Sequence, residues 1–287
     1  MNLQGCVTDA HLLRRYLVSD LSVPTSHITL LTSNNYQGIQ ADGLPTRASI
    51  LNALYSLRDN AAIQYGDNMV FYFSGRGSSY NPRGYFESDA AAKMGPIEAL
   101  CPADRGAHLD ISDRELNVIL AELRDEKGPN ITVILDCCFS NETTHTTGAV
   151  ARYVPPLPHS LGTLLRTVDE DTRRRRPHAS VLSEGWREDM SSHVVMAACQ
   201  SYELTPSAQM PTQSKYGAFT TALVTSLRSS VGKDPTTTYQ TLMRSVVGKL
   251  QRQTAVVAGS RVQSRLWFCD SSSCKLPDAV YTARRPR

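Results

Sequence analysis

Two short segments carry the residues best suited to chemistry. One, MVFYFSGRGSSY, ends at Tyr80 and reads as an apolar strand running into a glycine-flanked turn with Arg76 at its tip. The other, ITVILDCCFSN, reads as a second apolar strand ending in Asp136, Cys137 and Cys138. A thiol becomes a nucleophile at neutral pH only beside a base or a cation that favours its thiolate. Adjacent cysteines also fill cores as small hydrophobes, so the pair by itself leaves packing and catalysis both open. The turn glycines could suggest a phosphate cradle, but G-x-G-x-x-G would need glycine where Tyr80 stands, and no G-K-S/T follows. The histidines are scattered and no CxxC occurs, which argues against zinc.

The elements that must position these residues alternate in type. Helical spacing appears in DAHLLRRYLVSD, in TRASILNALYSLRDNA and in SDRELNVILAEL, where Ser112 and Glu115 form a capping box. It returns in GAFTTALVTSLRSS and TTYQTLMRSVVGKLQRQ. HITLLTS, NMVFYFSG, ITVILDCC and SHVVMAAC read as strands, and SRLWF is expected to close the sheet. Continuous apolar strands that alternate with helices predict an α/β fold, a mostly parallel sheet covered on both faces. Residues 78–100 and 141–191 break the rhythm and are expected to be long loops leaving the carboxyl ends of strands, where open α/β sheets place their sites.

At 287 residues, with an apolar content ordinary for a globular protein, the chain is long enough for one large domain. No apolar run is long enough to span a bilayer, and the start does not read as a secretory signal. Seven unevenly spaced cysteines argue for a reducing compartment, hence a cytoplasmic location. The formal charge of +3 comes from local clusters, Arg173–Arg176 and the tail Arg284, Arg285 and Arg287; without them acidic residues outnumber basic ones. A nucleic-acid-binding face is therefore not expected. The Arg173–Arg176 run reads either as a solvated loop or as a protease-sensitive linker.

Taken together, SGRG and DCCFSN, with GCVTDA, EALCPAD and ISDREL in order around them, resemble the caspase-like cysteine peptidases, the metacaspases in particular. The resemblance extends from Gln4 to Phe268. It implies a caspase-like three-layer sandwich: a nucleophile-bearing portion over 1–150, an irregular linker over 151–191, a smaller portion over 192–270 and a tail over 271–287. It puts Cys138 in the nucleophile position and Arg76 where the family has its base histidine. It also implies an acidic pocket for a substrate Arg or Lys, formed by Cys6, Asp9, Ser74 and Asp136. Paired carboxylates suit a guanidinium through charge-assisted, often bidentate bonds.

The departures bear on function. A guanidinium keeps its proton at physiological pH and cannot take one from a thiol. Losing general acid–base help costs roughly 10²–10⁴ in rate. Phe139 and Asn141 stand just after the nucleophile, where backbone amides would serve an oxyanion. Glu98 and Asp113 match two carboxylates of the family's calcium site, but Arg114 and His145 hold the other positions, so that site is expected to be degraded and no cofactor is expected. The family's first strand, which precedes GCVTDA, is expected to be missing, through truncation or because a partner supplies it.

The implied function is a peptidase-family domain with crippled catalysis that binds basic peptides or a related active protease, with no nucleic-acid or membrane partner. The alternative is an active endopeptidase cutting after Arg or Lys through Cys138 in proteolysis or cell death, with His145 the best substitute base. Arg76 is expected either to lean onto Asp9 or Asp136 as an internal occupant of the pocket or to point into solvent.

Overall fold

The computed structural model describes residues 4–83, 85, 95–139, 152–176, 179–183, 186–198, 217–250 and 255–268. In chain order the elements are α1 (Gln4–Ser19), α2 (Arg47–Asp59), β1 (Met69–Ser74), β2 (Arg76–Tyr80), β3 (Ile97–Cys101), β4 (Ile111–Ser112), α3 (Asp113–Lys127) and β5 (Ile131–Asp136). There follow α4 (Leu161–Arg175), β6 (Val194–Ala197), α5 (Ala218–Arg228), α6 (Tyr239–Val247) and β7 (Val256–Ala258).

The main sheet has the order β1-β5-β6-β7. β1, β5 and β6 run parallel and β7 is antiparallel to β6. Alternation along the strands decides which layer each side chain joins. Ile134 of β5 with Val194 and Met196 of β6 pack among Leu13 and Tyr16 of α1, Phe219 and Leu223 of α5, and Leu242 of α6. The intervening residues Ile131, Val133 and Leu135 face the other way, against Ile50 and Leu54 of α2 and Leu116, Ile119 and Leu120 of α3. Helices therefore cover both faces, and the α/β sandwich read from the sequence is what the chain forms. Among the described residues β1 is an edge strand.

Local signals explain the helix starts. Thr46 caps α2 by accepting from the Ser49 amide, and Ser112 caps α3 by accepting from the Glu115 amide at 3.1 Å. Glu115 does not complete the capping box. Its carboxylate instead takes both terminal nitrogens of Arg47, at 2.6 and 2.9 Å.

Four expectations need correction. HITLLTS does not join the sheet: the Leu30 amide donates to the Asp42 side chain and its carbonyl accepts from the Asp42 amide, so this segment folds back on the residues that follow it. Residues 78–100 are not simply a loop, because β2 and β3 pair antiparallel and β4 extends them into a second sheet. Nor is 151–191 an irregular linker, since α4 occupies 161–175. Leu164, Leu165 and Val168 form its buried stripe, which the nearby prolines and the arginine run obscured. SRLWF does not close the sheet; β7 does, and Leu266–Phe268 make a tight turn with Trp267 and Phe268 in the left-handed region.

No helix of the described residues is long and apolar enough to cross a membrane.

Candidate active site

Parallel pairing of β1 with β5 sets Ser74 opposite Asp136 at the carboxyl ends of both strands. Cys6 and Asp9 reach the same place from the amino-terminal half of α1, which packs on β1. The four residues expected to form the acidic pocket are thus brought together by two strand ends and one helix.

The pocket holds a guanidinium, and it belongs to Arg152. Its Nη2 lies 2.6 Å from Asp9 Oδ2. Its Nη1 lies 2.9 Å from Asp136 Oδ1, 2.8 Å from Ser74 Oγ and 2.9 Å from the Asp136 carbonyl oxygen. The remaining acceptor capacity of the acids is used as well. Asp9 Oδ1 accepts from the Gly217 amide at 2.7 Å, and Asp136 Oδ2 accepts from Thr220 Oγ1 at 2.5 Å. Tyr72 and Thr220 share a further hydroxyl bond at 2.7 Å. Asp9 is fully buried and Asp136 almost so.

Burial raises the Asp9 carboxyl above its ordinary range; the Arg152 charge pulls against that, and the Asp136 charge adds to it. The Cys6 thiol is likewise pushed up by burial, with Arg152 opposing. Burial works against the Arg152 charge, but Asp136, Cys6 and Asp9 together outweigh it and hold the guanidinium more firmly protonated than usual.

Arg76 does not fill the pocket. It opens β2 opposite Cys101, and it makes no hydrogen bond or ion pair with Asp9 or Asp136. The cation on the acids is that of Arg152, which the sequence reading did not foresee.

Cys138 sits half-buried in the turn after β5, while Cys137 is fully buried and its thiol pushed well up, first by burial. Two backbone amides converge beside Cys138. The Gly77 N–H and the Cys138 N–H both point at the carbonyl oxygen of Arg152, at 2.8 and 3.3 Å. Amide donors aimed at one oxygen next to a nucleophile are what stabilise a developing oxyanion. Gly77 is required here: a Cβ would lie 2.3 Å from the Cys138 carbonyl oxygen. Among the described residues the amides found at this oxygen are those of Gly77 and Cys138. Phe139 is packed into the core, and Asn141 lies outside the described residues, as does His145.

Glu98 and Asp113, matched in the sequence to a calcium site, lie side by side. The Glu98 amide donates to Asp113 Oδ2 at 3.2 Å, and Asp113 is pushed up to about 7 by burial and then by the Glu98 charge. The neighbouring Arg114 is buried, donates to the Val181 carbonyl and lies 4.9 Å over the Trp186 ring. Among the described residues no group of three or more His, Cys, Asp or Glu could hold a metal.

Sequence reasoning missed Arg152, Gly217, Thr220 and the amide of Gly77. Arg152 sits in a stretch of weak periodicity, and Gly217 opens the helical segment GAFTTALVTSLRSS with no side chain to read. A lone arginine between Ala151 and Tyr153 gives no pattern to read.

Such an arrangement defines a class: an α/β sandwich with a cysteine just after a central strand, amide donors beside it and a pocket lined by two carboxylates. Residues 1–146 match the family described as metacaspase, peptidase C14 domain, and the chain belongs to that family. Over 139 residues it is 32% identical to Metacaspase-3 of Arabidopsis thaliana, covering 48% of this chain and 35% of that protein. It is 32% identical over 140 residues to Metacaspase-1 of Yarrowia lipolytica, 48% of this chain and 28% of that one. Metacaspase-1 of Saccharomyces cerevisiae is 26% identical over 138 residues, 48% of this chain and 29% of the relative. The chain thus spans about a third of the length of these relatives, and the matched region is narrower than the Gln4–Phe268 expected. A solved Geobacter sulfurreducens protein superimposes with a TM-score of 0.47 at 20% identity, covering 80% of this chain and 82% of that one.

Proposed function

We propose that this metacaspase-family domain recognises a basic side chain, Arg or Lys, in the pocket of Cys6, Asp9, Ser74 and Asp136, and that its peptide-bond chemistry through Cys138 is severely weakened. The observation that carries the recognition is the seating of one guanidinium on Asp9, Ser74 and Asp136 together. Planar, bidentate charge pairing of this kind favours Arg over neutral residues. The weakening rests on Arg76. Its charge can favour a Cys138 thiolate, but it can neither accept the thiol proton nor give one to a leaving amine. Its partner is then a basic peptide segment, or an active relative presenting one.

A second reading, an active endopeptidase cutting after Arg or Lys, draws support from the intact pair of amides at Gly77 and Cys138. One assay separates the two. Turnover of an Arg-bearing reporter peptide is measured for the wild type, Cys138→Ala, Arg152→Ala and the double variant that combines Arg76→His with Arg152→Ala. On the first reading the wild type and Arg152→Ala stay within a few-fold of Cys138→Ala, while Arg76→His in the Arg152→Ala background gains roughly 10²-fold or more. Cys138-dependent turnover in Arg152→Ala as fast as in the histidine-bearing variant would install the second reading.

A further inference from the structure

Arg152 meets the site with more than its side chain. A structural ion pair would satisfy Asp9 and Asp136 with the guanidinium alone, leaving its backbone free to bond elsewhere. Here the Arg152 carbonyl oxygen also lies between the amides of Gly77 and Cys138. The chain beyond continues the same contact. The Val154 amide donates to the Gly77 carbonyl at 2.9 Å, and Tyr153 forms a parallel bridge with Gly77. Side chain in the acidic pocket, carbonyl on the amide pair beside the cysteine, backbone added to a strand end: this is how an extended peptide docks by strand addition, with main-chain bonds supplying affinity and a side-chain pocket supplying specificity.

From this we infer that residues 152–154 are a built-in substrate mimic, with Arg152 taking the seat of a bound peptide's basic residue and closing the site to basic peptides from outside. The inference rests on the basic-residue reading of the pocket and adds how that pocket is regulated.

The pocket is shaped around this occupant. A Cβ on Gly217 would lie 2.6 Å from Arg152 Nη2 and 2.7 Å from both Asp9 Oδ2 and Asp136 Oδ2, so only a glycine backbone can close the pocket over the guanidinium. The tether is short in sequence, since Arg152 follows Asp136 by 16 residues. A short tether holds the mimic at an effective concentration of roughly millimolar. A free peptide must outcompete that, and its apparent affinity falls by the fraction of molecules with the seat open. On this reading the segment stays uncut, because the proton donor that would release an amine at Tyr153 is missing from position 76.

The test uses the full chain and a labelled hexapeptide, VARYVP, with a counterpart carrying alanine in place of its arginine. Wild type is expected to bind VARYVP weakly, and Arg152→Ala to bind it at least about tenfold more tightly. Adding Asp9→Asn to that variant should abolish the gain. Millimolar N-methylguanidine should raise the melting temperature of Arg152→Ala and leave that of the wild type unchanged. Should Arg152→Ala fail to fold even with N-methylguanidine, the comparison passes to Arg152→Lys, which keeps a cation in the pocket but loses the bidentate fit and should bind more tightly than wild type. Equal affinity of wild type and the folded Arg152 variant, with binding still sensitive to Asp9→Asn, would overturn the mimic and leave the pocket reading intact. If no variant prefers VARYVP over its alanine counterpart, the pocket reading falls and the mimic with it. Wild-type protein whose intact mass shows cleavage after Arg152 would mean that the segment is consumed as a substrate, which also overturns the inference.

Discussion

At the scale of single residues, the site turns on one cation among buried anions. A buried ion pair is weak evidence of net stabilisation, but deleting one partner strands the other. Arg152→Ala should therefore lower stability by about 3–5 kcal/mol, measured by urea unfolding near neutral pH. The pH dependence has a definite sign. Asp9 already titrates above its unfolded value because of burial, with Arg152 holding it down. Removing Arg152 raises it further. A carboxyl whose folded pKa exceeds its unfolded one favours the folded state while protonated, and that contribution is lost as pH rises through the folded value. The deficit of Arg152→Ala relative to wild type should be smaller at about pH 5 than at about pH 8. A constant or shrinking gap with rising pH would mean that Asp9 is not the group left stranded.

At the scale of elements, the strands that carry the site were legible and the segments that complete it were not. β1 and β5 are continuous apolar runs ending in Ser74 and Asp136, so strand periodicity and the motif around Cys138 located the acids together. α4 was hidden because its apolar residues occupy a narrow stripe between a proline-rich approach and a run of arginines. Those arginines do not lie loose. Arg173 pairs with Asp169, Arg175 with Glu122 at 2.9 Å and Arg176 with Asp125. Glu122 is the joint, since it also binds Arg58 of α2 at 2.8 Å, tying three helices through one buried carboxylate. Because both arginines are partly exposed, the loss on Glu122→Ala is set at about 1–2 kcal/mol, below that of a fully buried pair. The variant should melt lower, and limited trypsin should cut after Arg173–Arg176 faster than in wild type. Equal cleavage rates would show that α4 is held by its apolar stripe alone.

At the scale of the whole molecule, the family match ends at residue 146, yet the core does not divide there. Leu13, Tyr16 and Ile134 share one cluster with Phe219, Leu223 and Leu242, and the pocket acids of the first half are closed by Arg152, Gly217 and Thr220 of the second. The two halves should therefore respond as one unit to a change at their seam, and His193 provides one. It is buried just before β6, its Nδ1 bonded to Ser192 Oγ at 2.6 Å, and its backbone packs against Gly259 after β7. Burial lowers its pKa from 6.5 to about 4, with the Asp189 charge opposing. A histidine depressed in this way stays neutral in the folded chain while the unfolded chain takes up a proton. Stability is thus full above about pH 6.5 and declines as pH falls towards 4, by about 3 kcal/mol at most. His193→Gln should flatten the fall in unfolding free energy between those values. Far-ultraviolet circular dichroism and tryptophan fluorescence should report the same acid transition in wild type. Non-coincident transitions, or an acid profile unmoved by His193→Gln, would place the pH sensitivity at another group.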